Sequence, residues 1–250
     1  MLSKTFFSAC LIAIITFLNI PISFAKKTMN DTERKEVESV VQEFIMKNPE
    51  VIMRAIQSYQ IKLEAEKQKK IKKELASLNT KLNQNPGSPV VGNPNGDITI
   101  VEFFDYRCGY CKRVFPAIQE LLKKDGNIRY VLKELPILGP DSVFASQAAL
   151  AVWNTNPEKY LSFHAALMTS RGKLNKEKVL KIASDLALDT KALGKNINNK
   201  SVIEELNMNM QLSERLSISG TPAFIVGDQL SPGALSLEEL KQMVALARER

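Results

Sequence analysis

Cysteine and histidine are scarce in this sequence, and no apolar segment is long enough for a membrane-spanning helix. Three cysteines and one histidine occur in 250 residues, which excludes a framework of several structural disulfides. The most apolar run, from Phe6 to Leu18, falls short of the roughly 20 residues that a bilayer requires. A lysine-rich stretch at residues 64–70 has no interleaved aromatics, so it is typical of a solvated helix face and predicts no nucleic-acid partner.

The first 25 residues have the pattern of a secretory signal peptide. Lys4 precedes the apolar run, and Ser23-Phe24-Ala25 forms a small-x-small site for cleavage after Ala25. A lipid anchor at Cys10 is disfavoured because the apolar region follows this cysteine instead of preceding it. We therefore expect an exported protein located in the periplasm.

Cleavage would leave one cysteine pair, in the motif Cys108-Gly109-Tyr110-Cys111. A strand-like run at residues 98–104 precedes the motif, and a helix-like run at residues 112–124 follows it. Free amides and the positive end of the helix dipole stabilise a thiolate at a helix start, so Cys108 is the predicted nucleophile. Cys111 lies one helical turn later and is the predicted resolving cysteine. In an exported protein this spacing indicates a redox site or a metal site.

The ligand count argues against a metal site or a haem. Two cysteines and His164 are too few for a closed tetrahedral zinc site. Lys112 follows Cys111 at the place where a c-type haem motif needs histidine. His164 shares a helical face with Leu161 and Leu167 and is interpreted as a packed histidine. We predict no metal and no cofactor.

Residues 26–86 predict a helical arm. Asn30 or Asp31 caps a first amphipathic helix, and Pro49 begins a second one whose short heptad seams are interrupted near residues 64–70. We expect a homo-oligomer formed through residues 30–83, so that deleting residues 26–86 leaves a folded, redox-active monomer. The alternative is a helical hairpin that packs back onto its own domain.

Residues 87–250 predict an α/β domain after a proline- and glycine-rich connection. A strand, the Cys108 helix and a second strand at residues 128–135 form an α/β unit. Residues 136–220 contain helical patterns at 144–154, 157–168, 176–188 and 202–216 and no convincing strand, which indicates a helical insertion. A strand at residues 221–226, a turn at Gly227-Asp228 and a last helix capped by Ser236 and Glu239 complete the domain.

The order of these elements, with Gly220-Thr221-Pro222 before the late strand, resembles the DsbA-like branch of the thioredoxin superfamily. Pro116 inside the helix and Glu102, six residues before Cys108, also match it. The resemblance implies a thioredoxin-like α/β fold with an inserted helical subdomain. It further implies a cis-proline loop at Thr221-Pro222 beside the sulfurs and a buried acid, Glu102, that exchanges a proton with Cys111. Without it, a trans proline and an exposed strand acid would be the ordinary expectations.

The motif also departs from the most oxidising members of that branch, because Tyr110 stands where they have histidine. Gly109-Tyr110, and Thr221 before Pro222, are similar to isomerase and copper-sensitivity-suppressor relatives, some of which oligomerise through an N-terminal helical arm. We therefore predict a thiol–disulfide oxidoreductase that forms or isomerises disulfides in other exported proteins and is recycled by a membrane thiol–disulfide partner. The alternative is an oligomeric holdase or copper(I)-binding protein without obligatory turnover.

Overall fold

The computed structural model describes residues 29–249, so the predicted signal peptide lies outside the described residues. No helix within this range has both the length and the apolar character needed to cross a membrane. The helices are α1 (Asp31–Lys47), α2 (Pro49–Asn83), α3 (Gly109–Asp125), α4 (Pro140–Thr155), α5 (Pro157–Thr169), α6 (Lys176–Asp185), α7 (Thr190–Asn196), α8 (Lys200–Arg215) and α9 (Leu237–Arg248). The strands are β1 (Val90–Gly92), β2 (Ile98–Phe104), β3 (Ile128–Glu134), β4 (Ala223–Val226) and β5 (Gln229–Pro232).

The chain divides into two compact units, the first of which ends at Gln60. This unit contains α1 and the beginning of α2. Asn30 caps α1 as predicted: its side chain accepts a hydrogen bond from the Glu33 amide at 2.9 Å, and the Glu33 carboxylate accepts one from the Asn30 amide at 3.0 Å. No residue of α1 is buried, and Val40 and Phe44 are 66% and 54% exposed. The unit therefore presents an apolar helix surface to solvent.

The second unit, which begins at Ile61, is built on a mixed sheet with the strand order β1-β3-β2-β4-β5. Strands β2 and β3 are parallel and connected by α3, while β1, β4 and β5 are antiparallel to their neighbours. Both parallel strands lie where the sequence predicted them. The short strands β1 and β5 were not predicted. The turn between β4 and β5 lies at Gly227-Asp228 as expected, and Gly227 has a φ of +60°, which favours glycine.

Alternation along β2 sends its side chains into two separate cores. Ile100 and Phe104 contact the core formed with α3, α9 and much of the helical insertion. Val101 and Phe103 contact the opposite core, to which α2 and α8 contribute. A strand buried on both faces explains the continuous apolar run that predicted it.

The predicted helical insertion is present between β3 and β4. It consists of α4 to α8, from Pro140 to Arg215, and α7 was not anticipated by the sequence patterns. Tyr160, Phe163 and Leu167 of α5 are fully buried in the same core as the face of α3 that carries Phe115. Helices α4 to α7 thus lie on the side of the sheet that also carries the cysteine helix, while α8 contributes to both cores.

The end of α2 belongs to the second unit. Leu75, Leu78 and Leu82 are buried against β2 and α8 on the second face of the sheet. The compact units accordingly separate within α2, between Gln60 and Ile61, whereas the sequence placed the boundary at residues 86 and 87. The proline- and glycine-rich segment marks where the chain turns, but the helix before it already packs on the sheet.

Candidate active site

Cys108 is the N-cap residue of α3, directly after the turn that follows β2. Its sulfur accepts a hydrogen bond from the Cys111 amide at 3.4 Å, which satisfies one of the free donors of the first turn. As a thiol, Cys108 donates to the Thr221 carbonyl oxygen at an Sγ–O distance of 3.1 Å. The predicted nucleophile therefore lies between a helix start and the loop before β4.

This environment favours the thiolate of Cys108. The hydrogen bond from the Cys111 thiol is the largest cause that lowers the pKa of Cys108 to about 5, and the Thr221 side chain and the amides of Cys111 and Tyr110 lower it further. Partial burial opposes this lowering without cancelling it. A thiol with this pKa is almost fully ionised at pH 7, so it is ready for attack on a disulfide.

Cys111 has the opposite character. It is fully buried, and its hydrogen bond to Cys108, its burial and the nearby Glu102 together raise the pKa of its thiol far above the ordinary value. Cys108 and Cys111 are not joined by a disulfide. The pair thus consists of an ionised cysteine at the helix end and a protonated cysteine behind it, which fits the predicted division into nucleophile and resolving cysteine.

Thr221 and Pro222 form the loop beside the sulfurs, and the peptide bond between them is cis, as the resemblance implied. Pro222 directly precedes β4, which pairs with β2 from Phe103 to Ile100. This pairing brings the loop to the same end of the sheet as Cys108. Only the family resemblance predicted the cis isomer, since X-Pro bonds are usually trans.

Glu102 is buried in the sheet behind the cysteines and is 1% exposed. Tyr130 of β3 donates its hydroxyl to Glu102 Oε2 at 2.7 Å, whereas Oε1 has no hydrogen-bond partner among residues 29–249. Burial is the main cause that raises the pKa of this carboxyl to about 8; the Tyr130 hydrogen bond lowers it and the charge of Cys108 raises it. Glu102 is therefore a buried acid, as the family resemblance implied, and is not the exposed acid that strand alternation alone would predict.

The cations around the motif are held by other groups. The Lys112 ammonium donates to the carbonyl oxygens of Leu167 and Ser170 at 3.2 and 2.8 Å, so it caps the end of α5. The Arg107 guanidinium binds the Leu138 carbonyl oxygen, and Arg113 lies over the exposed ring of Tyr110. The causes that lower the pKa of Cys108 are hydrogen bonds from its helix and from Thr221.

Asp105, which sequence reasoning missed, holds the loop after β3 next to the motif. Its carboxylate accepts hydrogen bonds from the amides of Arg107 and Leu138 at 2.7 and 3.0 Å and from the Ser142 hydroxyl at 2.8 Å. The Arg107 amide is a local donor, but Leu138 and Ser142 lie more than 30 residues away in sequence, so no local pattern points to those two contacts. The contacts hold the turn after β2 and the segment after β3 together at this end of the sheet.

A second buried acid, Glu134, lies at the end of β3. Tyr160 donates to Glu134 Oε1 at 2.9 Å, and burial raises the pKa of this carboxyl to about 8. Tyr106 and His164 share a hydrogen bond of 3.0 Å close by, and burial lowers the pKa of His164 to about 3. His164 is therefore a packed, neutral histidine, as interpreted from the sequence.

A buried lysine ties the root of α2 to the other face of the sheet. Lys133 is fully buried, and its ammonium donates to Ser88 Oγ at 2.6 Å, to the Lys81 carbonyl oxygen at 3.1 Å and to Glu205 Oε1 at 3.5 Å. Burial lowers the pKa of Lys133, and the Glu205 charge opposes that effect. All three donors of the ammonium are used, which is the condition for burying such a charge.

Comparison with protein families identifies the larger unit. Residues 99–245 match the model of the DSBA-like thioredoxin domain, which covers more than half of the chain. The chain belongs to the DsbA-like thioredoxin family. Residues 33–66 match the copper resistance protein ScsC N-terminal domain. Both the suspected branch and the thioredoxin-like fold with a helical insertion are confirmed, and membership points to thiol–disulfide oxidoreductase activity.

Individual relatives agree with this assignment. Disulfide bond formation protein D of Bacillus subtilis is 26% identical over 168 residues, which span 63% of this chain and 76% of that protein. A thioredoxin-like oxidoreductase from Silicibacter pomeroyi is 43% identical with a TM-score of 0.66 and covers 68% of this chain and 98% of its own. ScsC of Proteus mirabilis in a transitional conformation is 30% identical with a TM-score of 0.65, and the match covers 88% of this chain and 98% of that one. The last match extends the similarity of this DsbA-like protein into the helical arm.

Proposed function

We propose that this protein is an exported, periplasmic thiol–disulfide oxidoreductase that forms or isomerises disulfides in other exported proteins. The observation that carries the proposal is the ionised Cys108 at a helix start, in contact with the Thr221-Pro222 loop and backed by the protonated Cys111. The Gly109-Tyr110 dipeptide favours isomerisation over oxidation, because the more oxidising relatives have histidine at the position of Tyr110.

The proposed chemistry begins when the Cys108 thiolate attacks a client disulfide. A mixed disulfide forms, and one client sulfur leaves as a thiolate. In isomerisation a different client thiolate attacks the client sulfur bonded to Cys108, so that a new client disulfide forms and Cys108 leaves as a thiolate. In reduction Cys111 gives its proton to Glu102 and attacks the Cys108 sulfur, so that the pair becomes a disulfide and the client receives two electrons. The reverse sequence forms a client disulfide.

The proposal also includes a homo-oligomer formed through residues 30–83 and a membrane thiol–disulfide partner that recycles the cysteine pair. The exposed apolar side chains of α1 and the match of residues 33–66 to an ScsC N-terminal domain support the oligomer. Light scattering of the chain without residues 1–25 tests it. A monomer at micromolar concentration would contradict the oligomer and leave the redox proposal intact.

Two assays test the enzymatic function: reduction of insulin and refolding of a client with scrambled disulfides. We expect activity in both, its loss in Cys108→Ser, and client proteins trapped as mixed disulfides by Cys111→Ala. Inactivity in both assays, while Cys108 still reacts with an alkylating reagent, would refute the function. Tight copper(I) binding without trapped clients would favour the carrier alternative.

A further inference from the structure

The starting observation is the unequal treatment of the two oxygens of Glu102. Oε2 accepts the Tyr130 hydroxyl at 2.7 Å, and Oε1 has no hydrogen-bond partner within the described chain. Buried carboxyl oxygens without a partner are uncommon, because the loss of hydration is then uncompensated. The arrangement leaves one oxygen occupied by a fixed donor and the other available for a proton.

The pairing of β2 and β3 sets this arrangement. Glu102 lies opposite Leu132 in the parallel register, so Tyr130 is the diagonal neighbour two residues earlier on the same face. Both side chains are at most 1% exposed. Cys111 belongs to the same buried core as Tyr130, and the charge of Glu102 contributes to raising the pKa of Cys111. The tyrosine, the carboxyl and the resolving cysteine are thus close neighbours.

Within residues 29–249, no second group is hydrogen-bonded to Glu102. Tyr106 interacts with its charge from the loop after β2, and Cys108 and Cys111 do so from α3. On the other side, β4 places Phe224 opposite Glu102, and α9 contributes Leu240 and Val244 to the same core. Tyr130 is the neighbour that donates a hydrogen bond to this carboxyl among the described residues.

We propose that Tyr130 is a positioning residue for the proton transfer between Cys111 and Glu102. By donating to Oε2, it directs the Cys111 proton to Oε1 and holds the carboxyl in the orientation that receives it. In the step concerned, the Cys111 S–H bond breaks and its proton moves to Oε1. The Cys111 thiolate then attacks the Cys108 sulfur of a mixed disulfide, the Cys108–Cys111 bond forms, and the other thiolate leaves. This inference deepens the proposed reduction step and rests on it.

The Tyr130 hydrogen bond also affects the pH range in which Glu102 is a carboxylate and can act as a base. The Tyr130 bond lowers the pKa of Glu102, which burial raises to about 8. Without that bond the pKa of Glu102 rises further, so the fraction of carboxylate at pH 7 falls. A rise of roughly one unit lowers that fraction tenfold, and the stronger base recovers part of the rate. We expect the Cys111 step to slow by roughly three- to tenfold at pH 7 in Tyr130→Phe.

Stopped-flow reaction of the reduced chain without residues 1–25, which contains only Cys108 and Cys111 as thiols, with an aromatic disulfide separates the two steps. The first coloured thiolate is released when Cys108 attacks, and the second when Cys111 resolves the mixed disulfide. In Tyr130→Phe the first phase should be unchanged. The second phase should be slower at pH 7, and its midpoint should move to higher pH by roughly one unit. No client protein is required, so failure of client assays does not affect this test.

The chain provides a matched control in Tyr160, which donates to the other buried carboxyl, Glu134, at 2.9 Å. Tyr160→Phe removes the same kind of bond from a fully buried ring and should leave the midpoint of the second phase where it is. A fluorinated tyrosine incorporated at position 130 keeps the packing and donates more strongly, so it should move the midpoint to lower pH. It also serves if Tyr130→Phe does not fold.

Two results would overturn the inference. One is an unchanged second-phase midpoint in both position-130 variants, which would make Tyr130 a packing residue. The other is an equal shift in Tyr160→Phe, which would trace the effect to general loosening of the core. A Tyr130→Phe shift that disappears on a Glu102→Gln background would complete the support, because the effect must act through Glu102.

Discussion

The hydrogen bond from Cys111 to Cys108 has a measurable effect on the ionisation of Cys108, and replacement of Cys111 tests it. This bond is the largest cause of the low pKa of Cys108, about 5. A hydrogen bond to a charged group contributes about 1.5–3 kcal/mol, and one pKa unit corresponds to about 1.4 kcal/mol. In Cys111→Ala we therefore expect the pKa of Cys108 to rise by one to two units, to about 6–7. Cys111→Ser keeps a donor, so the rise should be smaller.

The rate of alkylation of Cys108 as a function of pH measures this pKa directly, since only the thiolate reacts. Both variants leave one thiol in the mature chain, which simplifies the readout. The midpoint pH should be lowest in the parent protein, higher in Cys111→Ser and highest in Cys111→Ala. The amides of the first helical turn and Thr221 remain in all three proteins, so the alanine variant should not reach the ordinary thiol value near 9.

A midpoint of Cys111→Ala that stays near pH 5 would refute this reasoning, because the amides and the helix dipole alone would then account for the shift. An alanine midpoint near 9 would refute it in the other direction, since the Cys111 thiol would then carry the whole effect. Equal midpoints in the serine and alanine variants would show that the donated hydrogen bond is not the cause.

Two further predictions concern the second unit. Lys133→Met should lower the free energy of unfolding by about 3–5 kcal/mol, because it leaves the buried Glu205 charge without its opposite charge. A urea titration measures this loss, and the double variant with Glu205→Leu should recover part of it. A chain that begins at Ile61 should be a folded, redox-active monomer. A chain that begins at Gly87 should unfold at a lower temperature, because it lacks the three buried leucines of α2. Equal melting temperatures of the two chains would contradict this prediction.

The parts of the site that are contiguous in sequence were predictable. Strand β2, the Cys108 helix and the division of roles between Cys108 and Cys111 follow from a buried strand run and from the free amides of a helix start. The cis bond before Pro222 required the family resemblance, because local chemistry favours trans.

The parts that depend on register across the sheet were not predictable. Tyr130 contacts Glu102 only because β2 and β3 pair in one particular parallel register, and a single sequence does not give that register. Lys133 in a strand would ordinarily be assigned to a solvent-exposed face. Its burial depends on Ser88, Glu205 and the end of α2, which are distant in sequence and converge only in the fold.

The pKa of Cys108 also limits how oxidising the cysteine pair can be. Ionisation of Cys108 stabilises the reduced form, so each unit by which its pKa lies below pH 7 raises the reduction potential by about 30 mV. Thioredoxin combines a pKa near about 7 with about −270 mV, and DsbA combines about 3.5 with about −120 mV. A pKa of about 5 for Cys108 lies between them and places this pair at about −165 to −210 mV when scaled from either reference.

That interval includes the value of about −180 mV known for protein disulfide isomerase, a poise at which a mixed disulfide can be released in either direction. Equilibration of the Cys108/Cys111 pair with glutathione measures it. The slope should be about −30 mV per pH unit above pH 5, because one of the two thiols is already ionised there. A potential near −120 mV would mean that the oxidised form is destabilised in addition to the stabilisation of the reduced form by the thiolate, and the proposal would then change from isomerisation to oxidation.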